Sequence, residues 1–275
     1  MRDDRDTGAL SLRLDELAAG LADPERDLDD LARVEEELMA ARERMLIPYL
    51  ERHLESAVES GDWYARHVFA RILAETAGAT SLDSLLRAYS RDLGDDQDSL
   101  STTLHVLARQ DAAAARDILL PYAVGDDADL RRAAIWLLGF VPAPSDLDLL
   151  THAVQDPDEA IRSAVVGTLG SHGTDPDALD LLVRLLDDPS PQVRVSALCS
   201  LGFRRAPGTL RGICRFANDG SPLVRAWVAI AIGRFPTLET AGPEASAVLD
   251  QLASDEDPDV RQRAAQARQM LKRGS

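Results

Sequence analysis

A fifteen-residue stretch from Asp188 to Gly202, DPSPQVRVSALCSLG, recurs along this chain. Asp156 to Gly170 reads DPDEAIRSAVVGTLG, Asp219 to Gly233 reads DGSPLVRAWVAIAIG, and Gly125 to Gly139 reads GDDADLRRAAIWLLG. A last copy opens at Asp255 as DEDPDVRQRAAQA. The arginine after the apolar residue marks the register at Arg131, Arg162, Arg194, Arg225 and Arg261, with spacings of 31, 32, 31 and 36 residues. Self-similarity at such a period is the mark of a repeat architecture, in which each unit buries its apolar face against its neighbours.

The apolar positions within a copy define two helices. One residue before the mark stand Leu130, Ile161, Val193, Val224 and Val260; three after stand Ala134, Val165, Ala197, Val228 and Ala264; seven after stand Leu138, Leu169, Leu201 and Ile232. Steps of four residues keep these on one helical face. Twelve before the mark, Leu119, Leu150, Leu182, Ile213 and Leu249 belong to an earlier helix. Asp-Pro or Ser-Pro opens the second helix, where proline suits the first turn and aspartate caps free amides. Gly139, Gly170, Gly202 and Gly233 stand where a left-handed residue is expected to close it. Arg205-Ala206-Pro207-Gly208 and Thr237 to Pro243 are expected as loops between repeats.

The D-P-x-x-V-R-x-x-A-x-x-x-L-G pattern resembles the HEAT-repeat family, in the short bacterial form called the bilin-lyase-type HEAT-like repeat. The expected fold class is therefore all-α, an α-solenoid of about seven helix-turn-helix repeats with helical caps. A weaker register extends upstream to Arg66 and to Gln97, where the arginine is lost. Residues 1–45 are expected to form an N-terminal tail (to about residue 8) and capping helices, with residues 46–275 as the solenoid. Leu10 to Leu21 reads as a short amphipathic helix, interrupted at Asp23-Pro24. Leu28 to Glu59 reads as one long helix or two, and Asp259 to Lys272 as the C-terminal cap. The resemblance also implies a structural ladder. Asp156, Asp188, Asp219 and Asp255, six before their marks, would bond along the stack with Arg162, Arg194, Arg225 and Arg261, since the guanidinium fork matches carboxylates and carbonyls.

Composition narrows the partner more than the chemistry. Net charge is −17, and lysine occurs once, at Lys272. A phosphate backbone demands clustered Lys and Arg, so nucleic acid is an unsuitable partner. An acidic surface instead favours a basic protein or peptide. No apolar run reaches the roughly 20 residues of a membrane span, and MRDDRDTGAL has no signal-peptide core. Cys199 and Cys214 make no disulfide framework, so a reducing cytoplasm is expected.

No catalytic motif emerges. Deoxyhypusine hydroxylase, a HEAT-like enzyme, holds iron through His-Glu pairs, but His53, His67, His105, His152 and His172 are each followed by another residue. No metal or cofactor site is expected. The HEAT-like alkylpurine glycosylases use a basic, aromatic face, whereas only 4% of this chain is aromatic. Ser196 and Cys199 have no base in the pattern. The expected function is a non-catalytic scaffold binding a protein or peptide; the rival is a lyase-like or chaperone-like enzyme resembling phycobilin lyase subunits.

In this family the second helices line a concave surface. Their non-core face, one and five after the mark, reads Arg132 and Trp136, Ser163 and Gly167, Val195 and Cys199, Ala226 and Ile230. A solvated face should be charged, and this one is mostly small or apolar. Arg132, Trp136, Val195, Cys199, Leu223 and Ile230 are thus the candidate contact residues. The alternative is that neighbouring helices cover them. Trp227 is expected in the core, and Trp63 has no place in the pattern.

Overall fold

The computed structural model describes residues 3–273 apart from 24, 26 and 96. Among the described residues every regular element is helical. Two compact units divide at Val141 and Pro142. The first holds α1 (Asp3–Ala22), α2 (Leu28–Ala41), α3 (Ile47–Ser60), α4 (Trp63–Ala77), α5 (Leu82–Ser90), α6 (Asp98–Gln110), α7 (Ala112–Ala123) and α8 (Ala128–Leu138). The second holds α9 (Asp146–Ala153), α10 (Glu159–Leu169), α11 (Pro176–Arg184), α12 (Pro191–Arg204), α13 (Leu210–Cys214), α14 (Pro222–Gly233), α15 (Leu238–Leu252) and α16 (Pro258–Arg273).

Within each unit consecutive helices pack in pairs, and the second helices of adjacent pairs pack on one another. The fold is therefore the all-α helix-pair stack that the repeat implies. The register residues Leu119, Leu150, Leu182, Ile213 and Leu249 of the first helices are fully buried. So are Val193, Ala197 and Leu201 of α12 and Val224, Val228 and Ile232 of α14. Burial of apolar side chains at about 1.5–3 kcal/mol each is what holds pairs of such short helices together; α13 is only five residues long.

The arginines tie the turns. Arg162 donates from Nε to Asp188 Oδ2 at 2.7 Å and from Nη2 to Oδ1 at 2.9 Å. Arg225 grips Asp255 in the same forked way, at 2.8 Å for both bonds. Arg194 reaches Asp219 at 2.9 Å. Each of these arginines also donates from Nη1 to the carbonyl six residues back, of Asp156, Asp188 and Asp219. The aspartates are not the helix caps themselves. Asp188, Asp219 and Asp255 each accept the amide two residues on, of Ser190, Ser221 and Asp257, and so shape the turn before the helix. Asp156 does the same for Asp158, whose own carboxylate caps α10. Arg261 bonds the carbonyls of Asp255 and Glu256. In the first unit Gln97 sends its amide to the carbonyl of Arg91, again six back. Arg66, almost fully buried, binds the Arg91 carbonyl and Asp95.

Several expectations are corrected. Gly139, Gly170, Gly202 and Gly233 are not left-handed; Gly139 and Gly170 have φ of −60° and −51°. At Gly202 and Gly233 the value is space. A Cβ on Gly202 would lie 2.9 Å from the Ala231 Cα, and one on Gly233 would lie 2.8 Å from the Ala267 Cα. The left-handed closure of α12 falls to Arg205 instead, at φ 53°. The stretch Thr237 to Pro243 is largely helical, with its break at Gly242 (φ 76°, ψ 172°) inside α15. No loose tail extends to residue 8, because α1 starts at Asp3 and buries Leu14, Leu17 and Leu21. Leu28 to Glu59 is two helices, and Pro24 lies outside the described residues. The helices α1 and α2 pack on α4.

The ladder should dominate stability. Asp188→Ala leaves the buried Arg162 guanidinium without its carboxylate and is expected to cost about 3–5 kcal/mol in urea unfolding. Arg33→Ala, which removes an exposed pair with Asp30, should cost under about 1 kcal/mol. Hydrogen bonding to Arg225 holds the Asp255 carboxyl below its usual range. A depressed pKa stabilises the fold above the unfolded-state value, and that contribution is lost as pH falls through the folded value. Asp255→Asn should therefore flatten the acid-side decline of the melting temperature below about pH 4.

Candidate functional site

In the second unit, packing covers the first-helix side of α12, α14 and α16 and leaves the opposite side open. Val195 is only 6% exposed and Ala226 2%. The close helix approaches at Gly202 and Gly233 bring neighbouring helices over these positions, so Val195 is not a surface contact. The open line instead runs two, five and nine residues after the mark. On α14 and its cap these are Trp227, Ile230 and Arg234; on α16 they are Arg263, Gln266 and Met270; on α12, Ser196, Cys199 and Phe203. Phe203 is 65% exposed, Met270 56% and Leu223 47%.

These side chains form one surface. A groove of about 470 Å³ between α14 and α16 is lined by Leu223, Trp227, Ile230 and Met270, with Arg234, Arg263 and Asp259 as its charged members. Arg234 joins it to α12. Its guanidinium carbon sits 3.7 Å from the centre of the Phe203 ring and 5.7 Å from that of Trp227. Its Nη1 donates to the Cys199 carbonyl at 3.2 Å. Cys199, a predicted contact, therefore contributes its backbone to holding Arg234. Leu223 and Ile230 of the predicted set lie in the groove. Trp227, Arg234 and Met270, which also line the groove, and Phe203 beside Arg234 were not in the predicted set. Trp227, expected in the core, is partly buried. The signal was present, since an open face drawn one residue further round the helix passes through all four.

The other predicted contacts, Arg132 and Trp136, lie in the first unit. Trp136 stacks on Tyr89 at 4.9 Å and meets Phe140 edge-on at 5.1 Å; Phe140 in turn stacks on His105 at 4.9 Å. Burial pushes the Tyr89 hydroxyl up, with Arg132 opposing that shift. Trp136 is thus half-buried in an aromatic cluster of α5, α6 and α8. A separate groove of about 480 Å³ in this unit is lined by Glu51, Glu55, Glu59, Asp83 and Asp127 together with Arg87 and Arg91. Asp83 there accepts from Tyr122 Oη at 2.6 Å and from Arg87 Nε at 3.0 Å. Trp63 begins α4 and is half-exposed.

Among the described residues, no group of three or more His, Cys, Asp or Glu side chains is placed to hold a metal ion. Burial, with Glu244 adding to it, pushes the Cys214 thiol up to about 11, which leaves it protonated and unreactive near neutral pH. Among the described residues no helix is long and apolar enough to cross a membrane.

The HEAT-repeat family model matches residues 117–198 and 181–268. Together these span 117–268, or 152 of 275 residues, and the chain belongs to the HEAT-repeat family. The X-ray structure of YibA of E. coli is similar to this chain, with a TM-score of 0.55 and 18% identity over 99% of this chain and 98% of YibA. A mutant of Kap121p aligns with a TM-score of 0.51 and 16% identity, over 94% of this chain and 29% of Kap121p. At these identities the likeness is one of fold. No curated protein matches the sequence.

The two faces of α12 should separate in mutagenesis. Val195→Glu buries an unpaired charge and should cost about 3 kcal/mol or more. Phe203→Ser removes one exposed ring over Arg234 and should cost under about 1 kcal/mol. Paired urea melts followed by circular dichroism read both.

Proposed function

We propose that this chain is a non-catalytic scaffold that binds a protein or peptide, with its contact surface on the open side of α12, α14 and α16. One observation carries the reading: Phe203, Leu223 and Met270 stand exposed around the Trp227–Ile230 groove. Exposed apolar groups that cluster, rather than scatter singly, characterise binding surfaces. Trp and Arg side by side are also the residue types that most often anchor an interface. A repeat stack offers such a surface without a catalytic centre, and nothing in the grooves favours the lyase-like alternative. The two free cysteines suit a reducing, cytoplasmic setting.

Charge adds a second element. The net charge of −17 draws basic partners at long range. The groove in the first unit, with Glu55 and Glu59 exposed, is where a basic partner would find its match. The apolar surface of the second unit differs in local sign.

Tagged wild-type protein and the Leu223→Glu and Trp227→Ala variants should be used to capture proteins from an extract of the source cells. Proteins held by wild type should be depleted by about tenfold in both variants, while the melting temperatures stay near that of wild type. Equal recovery by all three would remove this surface as the contact site.

A further inference from the structure

We infer that the open face of α12, α14 and α16 receives an acidic segment that carries apolar side chains, a partner class that the chain's overall charge conceals. This rests on the scaffold reading above and names the partner of the same surface. The starting observation is a separation of charge between the two helix layers of the second unit. The second helices α10, α12, α14 and α16 carry nine basic residues and two acidic ones, Glu159 and Asp259. The first helices α9, α11, α13 and α15 carry seven acidic residues and two basic ones, Arg184 and Arg211. Most of the acidity of this unit therefore lies on the first helices and in turns, although Asp259 lines the groove, where it pairs with Arg263.

Much of the basic charge is already engaged. Arg194 and Arg225 are held by the ladder aspartates, Arg268 pairs with Asp250, and Arg263 lies 3.3 Å from Asp259. Arg204 and Arg234 differ. Arg204 donates to the carbonyls of Gly170 and Ser200 and to the Ser200 hydroxyl, while its Nε is buried without an acceptor. Arg234 donates to the Cys199 carbonyl and contacts its sulfur. Among the described residues neither guanidinium has a carboxylate partner. Arg234 is thus a positive charge left uncompensated beside exposed apolar surface.

The geometry of Arg234 fits an acceptor from outside. Its guanidinium lies over the Phe203 ring and within 5.7 Å of the centre of the Trp227 ring. The N–H donors lie in the plane, so the edges remain able to bond a carboxylate. An aromatic platform also limits the rotamer freedom that a lone surface arginine would lose on binding. A partner carboxylate at Arg234, with a neighbouring apolar side chain in the Leu223–Trp227–Met270 groove, would satisfy both halves of the surface. A lysine-rich segment would place like charge against Arg204 and Arg234.

The test uses the full-length protein and three fluorescein-labelled peptides of equal length. One alternates Glu with Leu and Phe; the second replaces each Glu by Lys; the third keeps Glu and replaces the apolar residues by Ser. Fluorescence anisotropy at about 50 mM and about 300 mM salt gives the affinities and their screening. The Glu/apolar peptide should bind at least about tenfold tighter than either control. Arg234→Gln keeps an amide to donate to Cys199 but removes the charge, and Leu223→Ser removes apolar area; each should weaken that peptide by about tenfold. Both variants are checked for an unchanged melting curve. Tighter binding of the Lys peptide would overturn the acidic assignment while leaving the apolar contact surface standing. Equal binding of the two Glu peptides, lost at high salt, would show charge attraction without a groove and would overturn the inference. Absence of binding by all three overturns it too, and the scaffold reading is then judged by the capture experiment alone.

Discussion

The bond between a repeat's arginine and the next repeat's aspartate is the interaction on which the second unit's geometry depends. Each such arginine works in two directions. It closes its own turn through the carbonyl six residues back and reaches across to the next turn's carboxylate. The aspartate is equally double, accepting the arginine and the amide two residues on. Arg162 with Asp188 and Arg225 with Asp255 are largely withdrawn from solvent, so screening is weak and a missing partner leaves a buried charge. The start of each second helix is thereby fixed relative to the next, and apolar packing acts on elements already aligned.

Close approach of the second helices is the complementary constraint. Gly202 against Ala231 and Gly233 against Ala267 leave no room for larger side chains. That proximity explains why the positions just after the arginine are covered and why the open line lies further round the helix. Phe203, Leu223 and Met270 are the large apolar side chains left exposed on these helices, with Trp227, Ile230 and Arg234 partly buried between them.

Overall charge describes a chain's average field, whereas a partner meets a local one. The second unit keeps most of its carboxylates on first helices and in turns, where the ladder uses some of them, and most of its arginines on second helices. A net charge of −17 therefore coexists with a groove edged by arginine. Interfaces draw specificity from such local complementarity more than from total charge.

Local pattern was enough for much of this. The period, the helix pairs and the buried leucines were legible, because each depends on spacing along the chain and on residue type; the Arg–Asp ladder came from the family resemblance, and the structure supplied which aspartate each arginine takes. The weakened mark at Gln97 was legible too, and its amide still reaches the carbonyl six back. What only the tertiary structure decided was distance between helices. The repeat glycines look like helix terminators in sequence and are contact points in space. Val195 reads as open until α14 packs beside α12. Trp227 reads as core until the helix is turned against its neighbours. Helical periodicity tells which residues share a face to within about 100° per residue step, but which face remains open depends on how closely the next helix approaches, and that is set by side chains some thirty residues away in the chain.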